Sequence, residues 1–226
     1  MAQIGTHTFP ARGFPRRRAG LPRRPVETPR AFEVIVAALA LVFLLPLLLL
    51  VALSIWLGDG GPALFRHTRL GQGGRSFGCL KFRTMVTDAD VRLAELLQRD
   101  LAARAEWEAT QKLSKDPRVT PLGRFLRASS VDELPQLINV IAGDMSLVGP
   151  RPIVLAETSR YGPYLKHYLT VRPGITGVWQ VSGRNDVSYR RRIACDVLYA
   201  RRRSLTRNLM IMAATVPAVL QSRGSY

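Results

Sequence analysis

Cysteine and histidine are both scarce in this 226-residue chain, limited to Cys79, Cys195, His7, His67 and His167. There is no CxxC and no repeated cysteine spacing, so neither a disulfide framework nor a Cys/His zinc site organises the protein. A reducing compartment suits such a chain. Acid is also in short supply. Sixteen Asp and Glu face 33 Lys and Arg, for a formal net charge of +17. The expected partners are therefore anions: nucleic acid, anionic lipid and phosphorylated small molecules all fit that charge. Aromatic residues are only 8% of the chain, few for a surface that stacks on bases. A nucleic acid partner is not expected.

What is present is unevenly distributed. Residues 1–30 are rich in Pro and Arg, with Arg12, Arg16, Arg17, Arg18, Arg23, Arg24 and Arg30 against one acid, Glu27. That composition reads as a disordered basic tail. Residues 31–57 are almost wholly apolar, and between Val34 and Leu57 only Pro46 and Ser54 interrupt the run. As a helix this run would be about 36 Å long, against roughly 30 Å for a bilayer core. It is too long for a signal peptide, and no small-residue cleavage site follows. Membrane insertion is expected. Pro46 removes one mid-helix hydrogen bond at a cost of ~3 kcal/mol, and a kinked spanning helix would tolerate it. The flanks point elsewhere. Arginines precede the run, while Arg66, Arg69, Arg75, Lys81 and Arg83 follow it. Two basic flanks indicate two cytoplasmic ends, which a helix bent at Pro46 and returning to the same face satisfies.

Residues 58–226 alternate polar and apolar in the manner of a folded domain. Ala63-Leu64-Phe65-Arg66 and Phe77-Gly78-Cys79-Leu80 flank the glycine-rich Gly71–Gly74 and predict a β-hairpin. Val91, Ala94, Leu97, Leu101 and Ala105 recur at helical spacing and predict one helix over Asp88–Leu113. A shorter helix is expected from about Asp132 to Ile141, closed by Gly143. Gly149-Pro150-Arg151-Pro152 must be a stiff loop. A helix over Tyr189–Arg203 follows, and the apolar stretch Leu209–Leu220 is too short to span a bilayer.

The densest polar cluster is Arg124, Arg127, Ser129, Ser130, Asp132 and Glu133, ahead of Pro135. It reads two ways. Ser130 and Glu133 match the S-x-x-E capping box, and acids favour a first helical turn in any case. Alternatively, a carboxylate there can attack phosphorus, while its neighbour holds Mg²⁺ through hard oxygens. Arginines would then offset the charge on the transferred group. Further cations lie in loops: Lys81 and Arg83 on the hairpin, Arg151 between two prolines, and Arg184 in Ser182-Gly183-Arg184-Asn185. Most of Arg190–Arg192 and Arg201–Arg203 reads as a solvated surface.

Six motifs occur in order: Lys81-Phe82-Arg83-Thr84-Met85, Asp116-Pro117-Arg118-Val119-Thr120, Gly123-Arg124-Phe125-Leu126-Arg127, Asp132-Glu133-Leu134-Pro135-Gln136, the run Gly143–Pro152, and Val171-Arg172-Pro173-Gly174-Ile175-Thr176-Gly177. Together they resemble the monotopic phosphoglycosyl transferases, or bacterial sugar transferases, from about residue 30 to the C-terminus. The resemblance implies an α-rich α+β fold: a compact catalytic domain with a small β-hairpin, on a re-entrant membrane helix bent at the proline matched by Pro46. It implies a catalytic nucleophile at Asp132 and a Mg²⁺ ligand at Glu133. Substrate-binding cations are implied at Lys81, Arg127, Arg151 and Arg184. The implied reaction moves a hexose 1-phosphate from a UDP-sugar to polyprenyl (undecaprenyl) phosphate and releases UMP through an aspartyl-phosphosugar intermediate. The Ser-Gly-Arg-Asn-Asp segment and the ending Arg-Gly-Ser-Tyr look most like enzymes that initiate exopolysaccharide synthesis with galactose or glucose, at the inner membrane with the catalytic domain in the cytoplasm.

The sequence departs from the family pattern in three places: Glu33 stands for an Asp, Arg202-Arg203-Ser204 for Asn-Trp-Ser, and Asn208 for an Asp. These changes bear on local packing and sugar choice rather than on the chemistry. Two other functions stay open on the residues alone. One is a basic, membrane-anchored binding protein without catalysis, and the other a glycosyl transferase that moves the sugar alone. The first leaves Asp132-Glu133 and Arg151 without a purpose.

Overall fold

The computed structural model describes residues 28–110, 113–182 and 188–220. The apolar run forms helix α1, Arg30–Asp59, assigned as helix through Pro46 and closed by Gly60 in the left-handed conformation at φ 69°. Among the described residues it is the one helix long and apolar enough to cross a membrane. Eleven of its large apolar side chains, from Ile35 to Leu57, are at least 40% exposed, with Phe43 at 82%. At roughly 1.5–3 kcal/mol for each such side chain fully buried, leaving this face in water would forgo on the order of 10 kcal/mol. The face is built for lipid.

The opposite side of α1 packs on the domain at both ends. Ala37 joins Val140, Met145 and Val148 in one core, with Val36, Ala40, Leu41 and Leu44 against it. Val51 and Ile55 join Phe82 and Leu126 in another, with Leu48 and Ala52 beside them. Arg30 fastens the start of the helix by donating to the carbonyls of Val140 and Met145, and Glu33 accepts from Ser146 at 3.3 Å.

The expected hairpin is present. Strand β1, Leu64–Leu70, pairs antiparallel with β2, Ser76–Phe82, in a register that sets Phe65 opposite Lys81 and Arg69 opposite Phe77. The single helix expected over Asp88–Leu113 is instead two, α2 (Ala89–Arg99) and α3 (Leu101–Thr110). Asp100 divides them. Its backbone is extended at φ −120° and ψ 105°, and its carboxylate accepts from the amides of Ala102 and Ala103 at 2.9 Å each. A short acid that caps a new helix start competes with helix continuation.

Helix α4, Pro121–Ser129, begins with Thr120 as N-cap, accepting from the Gly123 amide. The helix expected from Asp132 starts later. Val131–Glu133 is a 3₁₀ turn, Pro135 is the N-cap, and α5 runs Gln136–Ala142, with Gly143 closing it at φ 97°. The capping box is absent. Ser130 lies in the left-handed region at φ 58° as the end of α4, with no side-chain cap bond.

Strand β3, Ser146–Val148, pairs in parallel with β4, Gly174–Thr176. A Cβ on Gly149 would meet the Arg172 carbonyl and the Gly174 amide, so only glycine allows the two segments to approach and the Pro150-Arg151-Pro152 loop to lie where it does. Short helices α6 (Thr158–Tyr161) and α7 (Leu165–Tyr168) precede β4, and α8 (Val178–Val181) follows it. Helix α9, Tyr189–Arg202, matches expectation to within a residue, and α10, Leu205–Leu220, covers the last apolar stretch. Ile193 packs with Tyr161 and Tyr168, and Ile211 reaches the core shared with Ala37.

Candidate active site

Strand period places Phe77, Cys79 and Lys81 on one face of β2, beside Phe65, His67 and Arg69 of β1. This face is pinned to α5 by one buried amide. Asn139 accepts from the Leu80 amide at 2.9 Å and donates to the Gly78 carbonyl at 2.8 Å. In effect it serves as a further strand partner for β2. Lys81 therefore sits at a set distance from the turn that leads into α5, which carries Asp132 and Glu133.

Lys81 Nζ donates to Glu133 Oε1 at 2.6 Å and stands 3.8 Å from Asp132 Oδ2. Here lies the reason the capping box fails: a charged ammonium is a stronger partner for the Glu133 carboxylate than a neutral amide. Burial pushes both carboxyls toward the protonated form, but with opposite outcomes. At Asp132, which is 8% exposed, burial outweighs Lys81 and, with Glu133 adding to the rise, pushes the pKa up to about 6. At Glu133 burial is overcome by Lys81 and Arg151, by the Lys81 hydrogen bond and by Arg69, which hold the pKa at about 2. Adjacent carboxyls driven apart in this way are suited to different tasks. Glu133 is a permanent anion, and Asp132 changes charge near neutral pH.

Glu133 and Lys81 open onto a cleft lined also by Arg151, Arg69 and Gln136. Arg151 comes from the stiff loop after β3 and lies over the Trp179 ring, 5.7 Å from its centroid. Burial and then the neighbouring Arg151 push the Arg69 guanidinium below its usual pKa. Crowded, partly buried cations of this kind bind an anion readily.

Of the residues singled out in the sequence, Lys81, Asp132, Glu133 and Arg151 come together. Arg127 stands at the end of α4, where its Nε donates to Thr84 Oγ1 at 2.9 Å while its charge lowers the Asp132 pKa. Arg184 lies outside the described residues. Arg69 and Gln136 were missed. Arg69 could have been found from strand period, since it shares a hairpin face with Lys81, whereas nothing local marks Gln136. Arg192, read as solvated, is instead half-buried. It lies over the rings of Trp179 and Tyr189 at 5.1 and 5.3 Å and pairs with Glu157 at 3.8 Å.

As for a metal, no group of three or more His, Cys, Asp or Glu side chains gathers among the described residues. The donor set is two hard carboxylates, both paired with Lys81 and Glu133 the more closely. This does not make an all-protein cage, but it does fit Mg²⁺, which takes one or two carboxylates together with substrate phosphates.

Comparison with known proteins gives the family. The profile described as bacterial sugar transferase matches residues 26–222. The exopolysaccharide production protein ExoY of Sinorhizobium fredii is 51% identical over 197 residues, covering 87% of each chain. The undecaprenyl-phosphate galactose phosphotransferase of Salmonella typhimurium is 47% identical over 197 residues, 87% of this chain and 41% of that one. The UDP-glucose:undecaprenyl-phosphate glucose-1-phosphate transferase of Caulobacter vibrioides is 43% identical over 215 residues, 91% of this chain and 75% of that one. The protein is thus a transferase by class. It belongs to the bacterial sugar transferase family.

Proposed function

We propose that the protein transfers hexose 1-phosphate, of galactose or glucose, from a UDP-sugar to polyprenyl (undecaprenyl) phosphate as the first membrane step of exopolysaccharide synthesis. The observation that carries this reading is the divided acid pair, with Asp132 and Glu133 sharing Lys81, and Lys81 and Glu133 lining a cationic cleft. In the first step an Asp132 oxygen attacks the β-phosphorus of the donor. The bond from that phosphorus to the bridging oxygen breaks, and UMP leaves with the oxygen and its electron pair. In the second step an oxygen of the polyprenyl phosphate attacks the aspartyl phosphate. The Asp132 carboxylate is released, and a polyprenyl diphosphate hexose remains.

Each side chain has a task in this scheme. Asp132 must be ionised to attack, and Lys81, Arg127 and Arg151 favour that form. Arg151 and Arg69 meet the diphosphate from the cleft wall, and Arg184 is assigned a substrate contact by family resemblance. Glu133 and the donor's phosphates would hold Mg²⁺, which supplies charge neutralisation on the departing nucleotide. Lys81 is then free to turn from Glu133 toward a phosphate oxygen.

The path of α1 follows from its packing. Both halves lie against one domain, Ala37 at one end and Val51 and Ile55 at the other. A spanning helix would draw that domain into the hydrocarbon, where its polar groups lose water. We infer a re-entrant anchor that leaves both termini and the catalytic domain on the cytoplasmic side, with the N-terminal arginines available to anionic lipid.

The test is a donor labelled in the β-phosphate. Label recovered in the lipid product, with unlabelled UMP released, supports phosphosugar transfer. Label retained in UDP would mean that only the sugar moves.

A further inference from the structure

Two amide side chains, Gln136 and Gln180, line the active-site cleft. Gln180 is engaged: its Nε2 donates to the Ile175 carbonyl at 3.2 Å, and its oxygen is sealed inside the protein. Gln136 is not. The residue is only 3% exposed, yet its amide makes no hydrogen bond among the described residues. Neither its nitrogen nor its oxygen is sealed off, so both keep surface that a ligand in the cleft can reach. Buried polar groups are nearly always paired, and an open amide on a cleft wall marks a contact that a ligand completes.

The position of Gln136 is fixed from behind. Leu137 and Val140 of the same helix are buried in the core with Ala37, and Asn139 ties that helix to β2. The chemistry of the amide then narrows the ligand, because it donates through nitrogen and accepts through oxygen. Ionised phosphate oxygens only accept, and would leave Oε1 facing an anion. A Mg²⁺ ion would take Oε1 and leave the nitrogen idle. Neighbouring hydroxyls of a sugar ring use both atoms, one accepting from Nε2 while the next donates to Oε1.

We propose that Gln136 is a specificity-determining residue that reads a pair of adjacent hydroxyls on the donor, either on its hexose or on its ribose. This rests on the reading of the cleft as a UDP-sugar site. Lys81 and Arg151 line the same cleft and meet the diphosphate, which every nucleotide sugar carries. Gln136 supplies what those charges lack, a test of the groups attached to it. A donor without the matching hydroxyl leaves a buried amide unpaired, and sites of this kind reject such analogues strongly.

The experiment compares the full chain with its Gln136→Leu variant in detergent, reading UMP release. The donors are UDP-galactose, UDP-glucose, their forms lacking single hexose hydroxyls, and their 2′-deoxyuridine counterparts. In the wild type, loss of the hydroxyl that Gln136 reads should lower kcat/KM about ten- to hundredfold. In Gln136→Leu the same loss should cost less than about threefold, as for any interaction already removed. Each comparison is a ratio within one protein, so a change in the stability of the variant does not affect it. An effect confined to hexose analogues places the hydroxyls on the sugar, and one confined to the 2′-deoxy donors places them on the ribose. Either supports the proposal. Analogue losses of equal size in both proteins, with normal release from a natural donor, would overturn this proposal alone. A Gln136→Leu variant that needs more Mg²⁺ but keeps the wild-type discrimination would overturn it in favour of a metal contact. A wild type that releases no UMP from either natural donor would overturn the donor reading as well.

Discussion

Replacing Asp132 by Asn should abolish transfer and at the same time make the protein more stable. In the metal-free chain the Asp132 pKa rises from 3.8 to about 6 because burial disfavours its charge. Between those values the folded state keeps a proton that the unfolded state has released. Stability therefore falls as pH rises through the window from about 4 to 6, and the loss is complete above it. Two pKa units at 1.36 kcal/mol each give about 3 kcal/mol as an upper figure. Asn carries no charge to desolvate, and Lys81 retains Glu133 as its partner at 2.6 Å. The variant should be more stable by about 1–3 kcal/mol at pH 7.5, with the difference vanishing near pH 4. At about 2–4 °C per kcal/mol for a chain of this size, that is several degrees in the midpoint. Other acids with shifted pKa values are common to both proteins, Asp196 and Glu133 the most perturbed among them. Asp196, which burial pushes up to about 6 despite its bond from Tyr161, contributes to the same window in both proteins. Glu133, held at about 2, adds stability that is lost only as pH falls from about 4.5 toward 2. The assay is thermal unfolding in detergent with excess EDTA, at half-unit steps from pH 4 to 8, beside turnover of the same preparations. An Asp132→Asn variant that is no more stable at pH 7.5, with the wild-type pH slope, would refute the burial argument. Near-normal turnover would refute the nucleophilic role.

The acidic limb of the wild-type rate profile should fall below about pH 6, and Lys81→Met should shift that limb upward, because Lys81 favours ionised Asp132. A limb that stays put in this variant would detach Lys81 from Asp132. Chelator should stop turnover, and Glu133→Gln should lower it by orders of magnitude; full activity in excess EDTA would remove the metal from the scheme. Arg151→Lys keeps the charge but loses the planar fork and its stacking on Trp179, so donor affinity should drop about tenfold, as read from UMP release over a donor series. Cysteines placed at positions 5 and 70, in a protein lacking Cys79 and Cys195, should both resist an impermeant thiol reagent in intact spheroplasts. Labelling of position 5 from outside would reject the re-entrant path.

Much of this protein could be read in its sequence because the signals are local. An apolar run of the right length reports a membrane helix, since its burial needs depend on composition alone. Two apolar runs around Gly71–Gly74 report the hairpin for the same kind of reason, and Gly143 ends α5 in a conformation that suits glycine. The ordered motifs named the acid pair and the family. Tertiary structure decided what depends on competition between partners distant in the chain. Ser130 and Glu133 carry a capping pattern, but a lysine 52 residues away takes the carboxylate, because a charged partner outcompetes an amide. Asp100 divides a periodic helix, because its side chain caps the next one. Asn139 reads as one more helical residue, yet it fixes the strand that aims Lys81. The opposite pKa shifts of neighbouring carboxyls, and the meeting of Thr28 with Asn208 at 2.6 Å, likewise follow from burial and approach. Neither quantity exists until the chain has folded.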